Sequence, residues 1–344
     1  MRTAISIAEA GLSPDYITRQ GIRLLLKGRL RKQLQTDLQE TLQLMSEGPL
    51  ALHTDCANDQ HYEVPAGFFE SMLGRRLKYS CSYYDSDDTT LDAAETAMLD
   101  MTVRRAGLID GMDILELGCG WGSLTLFMGE RFPGSKITAI SNSHNQKAFI
   151  EARASDQGLK NIQVITCDIN DYQTSEVFDR VISVEMFEHL RNYHRLFNLV
   201  AAWLKDDGRL FYHVFCHKSS PYFFSNDTDS DWMARHFFTG GTMPSWDLPL
   251  HFGQDLTLDQ RWQVNGRHYA LTCKDWLANL DRERDSALAG LQAGDNPESV
   301  KRQYHRWRIF VMACGELFAW NGGEEWFVGH YLMKRAESKV SKIF

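Results

Sequence analysis

Long apolar runs are absent from this chain of 344 residues. No stretch approaches the ~18 consecutive apolar residues that a membrane-spanning helix needs. Proline is scarce at 8 residues, and there is neither a low-complexity segment nor an internal repeat, so proline-rich linkers and repeat arrays are not expected. The 7 cysteines are odd in number. Cys56, Cys81, Cys119, Cys167, Cys216, Cys273 and Cys314 include no C-x-x-C pair, which suits reduced thiols better than a disulfide framework or a zinc motif. A basic excess is missing too: Lys and Arg number 37 against 45 Asp and Glu, a formal charge of −8. Nucleic acid is therefore not the expected partner. The first residues carry Glu9 and Asp15 and no continuous apolar segment, so a secretory signal is not expected and a cytoplasmic location is. What remains, 43% hydrophobic and 24% charged, is the profile of a globular protein long enough for a full core.

Residues 15–47 read as helix. Between Arg19 and Lys32 the cations Arg19, Arg23, Lys27, Arg29, Arg31 and Lys32 meet no acid, while Ile22, Leu24, Leu25, Leu26 and Leu30 supply apolar contact. Such a helix can lie on an anionic membrane surface or present a solvated face while packing, and packing is the reading adopted here. A second helix is expected over about 90–107, after the capping candidates Asp85, Asp87, Asp88, Thr89 and Thr90.

From Asp113 the pattern changes. Strands are expected at Asp113–Leu117, Lys136–Ile140, Ile162–Thr166, Phe178–Val184 and Gly208–Phe215. Helices are expected between them, at Ser123–Arg131, Gln146–Gln157 and Tyr193–Leu204. This alternation predicts βαβ units and a doubly wound parallel α/β sheet over residues 108–218. An aromatic-rich segment follows, Ser219–Phe252, with Thr239–Pro244 read as a loop. Then come a strand at Leu258–Val264, helices near 273–293 and 298–319, and a late strand at Trp326–Met333. So late a strand must rejoin the early sheet, which lays the insertion over the strand ends where such sheets bind ligands.

The turn Glu116-Leu-Gly118-Cys-Gly120-Trp-Gly122 follows a strand and opens a helix, the context a ligand-binding glycine loop needs. A dinucleotide fingerprint would require glycine at position 123, which is Ser. It would also require an acid after the second strand, where Ile140-Ser141-Asn142 stands. Acid-x-G-x-G-x-G is instead the spacing of S-adenosylmethionine enzymes of this fold.

Lys78-Tyr-Ser-Cys81, Leu115-Glu-Leu-Gly-Cys-Gly-Trp-Gly122 and Phe187-Glu188-His189 together resemble the cyclopropane-fatty-acid synthase superfamily of methyltransferases. Glu185-Met-Phe-Glu-His189, Phe215-Cys-His-Lys218, Phe237-Phe-Thr-Gly-Gly-Thr-Met-Pro244, Val264-Asn-Gly-Arg-His-Tyr269 and Glu316-Leu-Phe-Ala-Trp-Asn-Gly-Gly323 are similar to its coclaurine-type N-methyltransferase branch. The resemblance spans about residues 58–335. It implies a Rossmann-like class I methyltransferase sheet at 108–218. A helical N-terminal cap would occupy 1–107, and 219–344 would hold a substrate-covering insertion and the last core strand. It also implies S-adenosylmethionine as cofactor, held by Tyr79, Ser80, Gly118, Gly120 and Gly122. Ser141, Asn142 and Gln146 would face its ribose, and Asp168 with Ile169 its adenine; Asp168 also reads as a helix N-cap.

Methyl transfer from a sulfonium is an in-line displacement, so the protein must position the reactants and exclude water. An amine acceptor must also lose a proton. Glu185, Glu188 and His189 follow the fourth strand on the ligand-binding edge, and a helix starting there would put the two carboxylates on one face. By resemblance, synthases carry a small residue where this chain has Glu185, while N-methyltransferases carry Glu. Synthases hold a bicarbonate base with groups matching Cys81, Glu188, His213 and Tyr269, all present here, although Phe215 replaces an aliphatic residue of that site. The aromatic set Tyr83, Tyr84, Phe223, Phe224, Trp232, Phe237, Phe238 and Trp246 reads either as core or as a substrate wall. His213 and His217 do not form a metal pair. The expected activity is N-methylation of a small amine with an apolar or aromatic body. Modification of unsaturated phospholipid acyl chains, cofactor binding without catalysis, and a nicotinamide oxidoreductase are the alternatives, in that order.

Overall fold

The computed structural model describes residues 2–33, 37–51, 64–226, 231–294 and 298–337; Cys56 lies outside them. Helices α1 (Arg2–Glu9), α2 (Asp15–Gln33), α3 (Leu38–Leu44), α4 (Ala66–Met72) and α5 (Leu91–Ala106) come first. The single helix expected over 15–47 is two. Asp37 starts α3, its carboxylate accepting from the amides of Gln39 and Glu40. Thr90 caps α5 through the Ala93 amide, and Gly107 ends it in the left-handed region at φ 63°, which glycine adopts without strain.

Five parallel strands follow: β1 (Asp113–Leu117), β2 (Lys136–Ser141), β3 (Ile162–Thr166), β4 (Phe178–Val184) and β5 (Leu204–His217). Helices α6 (Ser123–Arg131), α7 (His144–Asp156) and α8 (Tyr193–Trp203) connect them. β5 begins four residues before the expected Gly208, pairing Leu204 with Phe178 across an irregularity in register. Strands buried on both faces must be apolar at successive positions. Ile114 and Ile182 accordingly join one hydrophobic cluster while Leu115 and Val181 join another across the sheet.

The rest of the chain forms the short ribbon β6 (Tyr222–Phe223) and β7 (Thr242–Met243), with α9 (Trp232–His236) between them. The Thr239–Pro244 loop is therefore partly strand. Next come β8 (Leu256–Val264), α10 (Gly266–Arg282), α11 (Arg284–Gln292), α12 (Val300–Phe318) and β9 (Trp326–Arg335). The helix expected near 273–293 is thus two, broken at Glu283, whose amide closes α10 on the Asn279 carbonyl. The sheet order is β3-β2-β1-β4-β5-β9-β8, with β9 antiparallel to both neighbours. The late strand does rejoin the sheet.

A third cluster, including Phe68, Phe69, Trp276, Trp307 and Phe310, fuses the N-terminal helices to the later ones above the strand ends. Arg19 and Arg23 of α2 both grip Glu316 of α12, at 2.8 and 2.5 Å. Arg29 pairs with Asp231 at 3.7 Å and lies over the Tyr222 ring. Half of the basic run therefore serves internal packing. Among the described residues no helix is long and apolar enough to cross a membrane.

Candidate active site

In an open α/β sheet the cleft lies where strand order reverses, here at the C-terminal ends of β1 and β4. One continuous cleft opens there, holding about 1620 Å³ of empty space with its mouth included.

One wall is made of strand ends. Gly118, Gly120 and Trp121 follow β1, Ser141 and Asn142 end and follow β2, and Cys167, Asp168 and Ile169 follow β3; Tyr79, Ser80 and Gln146 complete it. Gly120 has φ 51°, and a Cβ there would meet no atom within 4 Å. It would project into open space, the signature of a backbone left bare for a ligand. Gly122 does not line the cleft. It starts α6 with φ 81°, and a Cβ there would lie 2.6 Å from Ile150, so it serves helix packing. Ser141 Oγ donates to Gln146 Oε1 at 2.7 Å and accepts from the Ser143 amide. Asp168 uses Oδ1 to take the Asn170 amide at 2.7 Å, so it does close a turn as well as line the cleft. Lys78, which sequence reasoning passed over, is buried and donates to Ser80 Oγ at 2.5 Å and the Cys81 carbonyl at 2.6 Å. With one lone pair taken by Lys78, the Ser80 hydroxyl keeps its own O–H to donate.

The other wall centres on Glu185. The helix expected to start there does not: Glu185 sits at φ 49°, ahead of a single 3-10 turn, Phe187–His189. A non-glycine residue in this region is strained by about 1–3 kcal/mol, and its amide is held by the His213 carbonyl at 2.8 Å. The strained turn sends Glu185 into the cleft. Its carboxylate takes the Cys81 amide at 2.9 Å, His213 Nε2 at 2.9 Å and the Tyr269 hydroxyl at 2.6 Å. Cys81, His213 and Tyr269, the groups matched above to a bicarbonate site, thus surround a side-chain carboxylate. Cys81 contributes only its main chain, since its thiol turns to the Ser82 carbonyl. Neither Cys81 nor His213 lines the cleft; both stand behind Glu185, while Tyr269 lines it.

Glu188 departs from expectation. It is wholly buried and outside the cleft lining, so it does not share a face with Glu185. The amides of Glu188 and Phe215 face its oxygens too loosely for hydrogen bonds of normal geometry. Burial pushes its carboxyl far above the usual range, and the neighbouring Glu185 charge adds to this. Burial also raises Glu185, but the Lys78 cation, the Cys81 amide and the Tyr269 hydroxyl pull it back. Of the two acids, Glu185 is the one held by donors that favour a carboxylate, and Glu188 is the more readily protonated. His189 lines the cleft, stacked on Phe238 with ring centroids 5.6 Å apart.

The aromatic wall is Phe215, Phe238, Tyr269, Trp276 and Phe310. Of the set expected from sequence only Phe238 lines the cleft. Tyr83 stacks on His268, Phe224 on Phe238 and Phe237 on Phe310. Phe223 lies under Arg191 and Trp246 against Tyr331. Tyr84 binds Asp275, and Trp232 binds Glu9. Trp276 and Phe310 belong to α10 and α12, whose amphipathic spacing reads as ordinary core, so only tertiary placement reveals them.

The family model described as mycolic acid cyclopropane synthetase matches residues 52–323. The (S)-coclaurine N-methyltransferase of Thalictrum flavum subsp. glaucum is 35% identical over 338 residues, covering 95% of this chain and 94% of the relative. Cyclopropane mycolic acid synthase 1 of Mycobacterium tuberculosis is 28% identical over 286 residues, 78% of this chain and 95% of that protein. Among solved structures, coclaurine N-methyltransferase bound to N-methylheliamine and SAH superimposes with a TM-score of 0.90 at 33% identity. That match covers 96% of this chain and 99% of the other. The chain therefore belongs to the cyclopropane synthetase family of S-adenosylmethionine-dependent methyltransferases, a family it shares with the coclaurine N-methyltransferases.

Proposed function

We propose that this enzyme methylates the nitrogen of a small secondary or tertiary amine carried on an apolar or aromatic body, with Glu185 and His189 as its catalytic residues. The observation that carries the reading is the buried Glu185 carboxylate, fixed by three donors and lining the cleft beside five aromatic side chains. An aromatic cage around a single negative charge suits an aryl ammonium ion, through ring contact and cation–π attraction. A phospholipid acyl chain offers neither ring nor charge at the reacting position.

S-adenosylmethionine supplies an electrophilic methyl on a sulfonium. The residues present suit it. The open space over Gly120 admits a close approach to the backbone, Ser80 offers a hydroxyl donor, and Asn142 and Asp168 supply polar groups for the ribose and adenine. Glu185 draws in the protonated amine. His189, also in the cleft, accepts the proton, which would leave the nitrogen lone pair free for the electrophilic methyl that S-adenosylmethionine would supply. Phe215, Phe238 and Phe310 exclude water and orient the ring. Glu188, buried outside the cleft lining, is not placed to serve as the base.

The test is methyl transfer from isotopically labelled S-adenosylmethionine to a panel of secondary and tertiary arylalkyl amines, run beside vesicles of unsaturated phospholipid. N-methylated amines are the expected products. Label found only in cyclopropane or methyl-branched acyl chains would replace this reading with lipid modification.

A further inference from the structure

Behind Glu185 a line of hydrogen bonds crosses the sheet and leaves the cleft. His213 on β5 and His330 on β9 are direct partners in the antiparallel ladder, and His330 Nε2 lies 3.0 Å from His213 Nδ1. His330 Nδ1 lies 2.8 Å from Nη1 of Arg105 on α5. Trp262 on β8, the other ladder partner of His330, carries the Arg105 guanidinium over its ring at 5.1 Å. Both histidines are fully buried.

The far end of this line dictates the rest. A guanidinium can only donate, so His330 Nδ1 must accept. The ring proton of His330 is then on Nε2 and is donated to His213 Nδ1. That places the ring proton of His213 on Nε2, where it is donated to Glu185 Oε1. Every bond points the same way, from the cation to the carboxylate. The reverse order, with His213 Nε2 as acceptor, would put the His330 proton on Nδ1 against the Arg105 donor, losing that bond, and would also require a protonated Glu185.

We propose that Arg105 is a remote positioning residue that locks both histidine tautomers, so that the carboxylate binding the substrate amine always meets an N–H and stays ionised. The line polarises and does not conduct. A proton reaching Glu185 cannot escape along it, because His213 Nε2 is already protonated and the line ends on a group that accepts nothing. The substrate proton must leave through the cleft, past His189.

Other groups face the same centre. Lys78 and Cys81 approach Glu185 from the segment before α5, Tyr269 and Cys273 from α10, Cys314 from α12, and Glu188 from the turn after β4. Lys78 also acts on both histidines, while Arg104 and Tyr83 act on Arg105. Burial, together with these cations, keeps His213 and His330 neutral, well below the usual histidine range.

The inference rests on the N-methylation reading for its kinetics but not for its structural test. Nitrogen-15 NMR of histidine-labelled full-length protein reports each ring's tautomer without substrate. His213 and His330 are expected neutral at pH 7.5, each with its proton on Nε2. In Arg105→Met, which keeps an apolar stem over Trp262, the tautomers should mix. The acid limb of kcat/KM should then move up by about one pH unit, amine KM should rise more than kcat falls, and cofactor affinity should hold within about twofold. An Nδ1–H tautomer or a cationic ring in the unmodified protein would overturn the lock, whether or not the variant folds. So would a folded Arg105→Met protein with unchanged tautomers and an unchanged acid limb. Intact tautomers in a protein inactive on every amine would instead remove the N-methylation reading and leave the lock standing.

Discussion

On the cofactor side of the cleft, the lining follows consecutive strand ends, each a few residues from the element that positions it. Gly118–Trp121, Ser141–Asn142 and Cys167–Ile169 come off β1, β2 and β3 in order. On the acceptor side, the carboxylate of Glu185 is held by residues 81, 213 and 269, and the rings around it come from β5, α10, α12 and the loop before β7. The first wall is local and made largely of backbone and small polar groups. The second is assembled from distant segments and holds buried charge. A local wall can tolerate changes elsewhere in the chain, whereas the acceptor wall is sensitive to any segment that contributes a donor. Under the proposed N-methylation the labour divides sharply: cofactor affinity is assigned to the first wall, acceptor affinity and proton handling to the second.

The largest effect is expected where the cofactor wall is bare. Gly120→Val places branched carbons into the open space at a positive φ, which a β-branched residue also resists. Measurable binding of S-adenosylmethionine and its demethylated product should be lost by calorimetry while the thermal transition survives. A folded variant with unchanged affinity would move the cofactor off this wall.

Next comes the centre of the acceptor wall. Glu185→Gly removes the charge that draws in the ammonium ion and should lower kcat/KM for the amine by roughly 10²–10³-fold, in line with the ~2–5 kcal/mol for losing one partner of a buried charge pair, while cofactor affinity changes little. The substitution also relieves the positive φ and leaves the Cys81 amide, His213 and the Tyr269 hydroxyl aimed at vacated space. Formate should therefore restore part of the rate. Equal losses of cofactor and amine affinity would erase the division between the two walls.

A smaller change tests the rings. Phe238→Leu keeps an apolar side chain but removes the π face beside His189. An aromatic contact is worth about 0.5–1.5 kcal/mol beyond its area, so KM for an arylalkyl amine should rise about two- to twelvefold, with a purely aliphatic amine affected less. Equal effects on both amines would make Phe238 a packing residue only.

The same division explains what the sequence could reveal. The βαβ rhythm and the glycine turn are local patterns, so the parallel sheet and the strand-end lining of the cleft were legible from Asp113 onward. Glu185 was legible as an acid after a strand, but its direction was not. A helix was the natural expectation for Glu185-Met-Phe-Glu-His189, and the left-handed turn that separates Glu185 from Glu188 has no marker in residue type. The pairing of His213 with His330 depends on an antiparallel register between segments 117 residues apart, which no periodicity encodes. Trp276 and Phe310 sit at helical spacing indistinguishable from core.

The smallest effect on catalysis should come from the N-terminal anchor, which lines neither wall. Glu9 ends α1 and is buried. Its carboxylate accepts from Trp232 Nε1 at 2.8 Å, from Arg306 at 2.8 Å and from Arg302. Burial would raise its pKa, but hydrogen bonds from Arg306, Trp232 and Arg302 outweigh it and hold the group at about 2, against an ordinary 4.5. A folded pKa below the unfolded one contributes stability that is present above pH 4.5 and lost as pH falls toward 2. Glu316, lowered by Arg23 and Arg19 against its own burial, loses its contribution in the same direction. His236, held neutral by burial with a pKa of about 4, costs stability as pH falls from 6.5 through 4, because only the unfolded chain gains that proton readily. Hydrogen exchange over α1 and α2 should therefore accelerate from below pH 6.5 and most steeply below 4.5, before the parallel sheet responds. Glu9→Gln should expose α1 already at pH 7 and flatten the steep part of the profile, with turnover at pH 7 within about twofold of the unmodified protein. An unchanged acid profile in Glu9→Gln would assign the anchor to Glu316 with Arg19 and Arg23. A kcat/KM loss as large as that of Glu185→Gly would show that the cap, too, belongs to the acceptor wall.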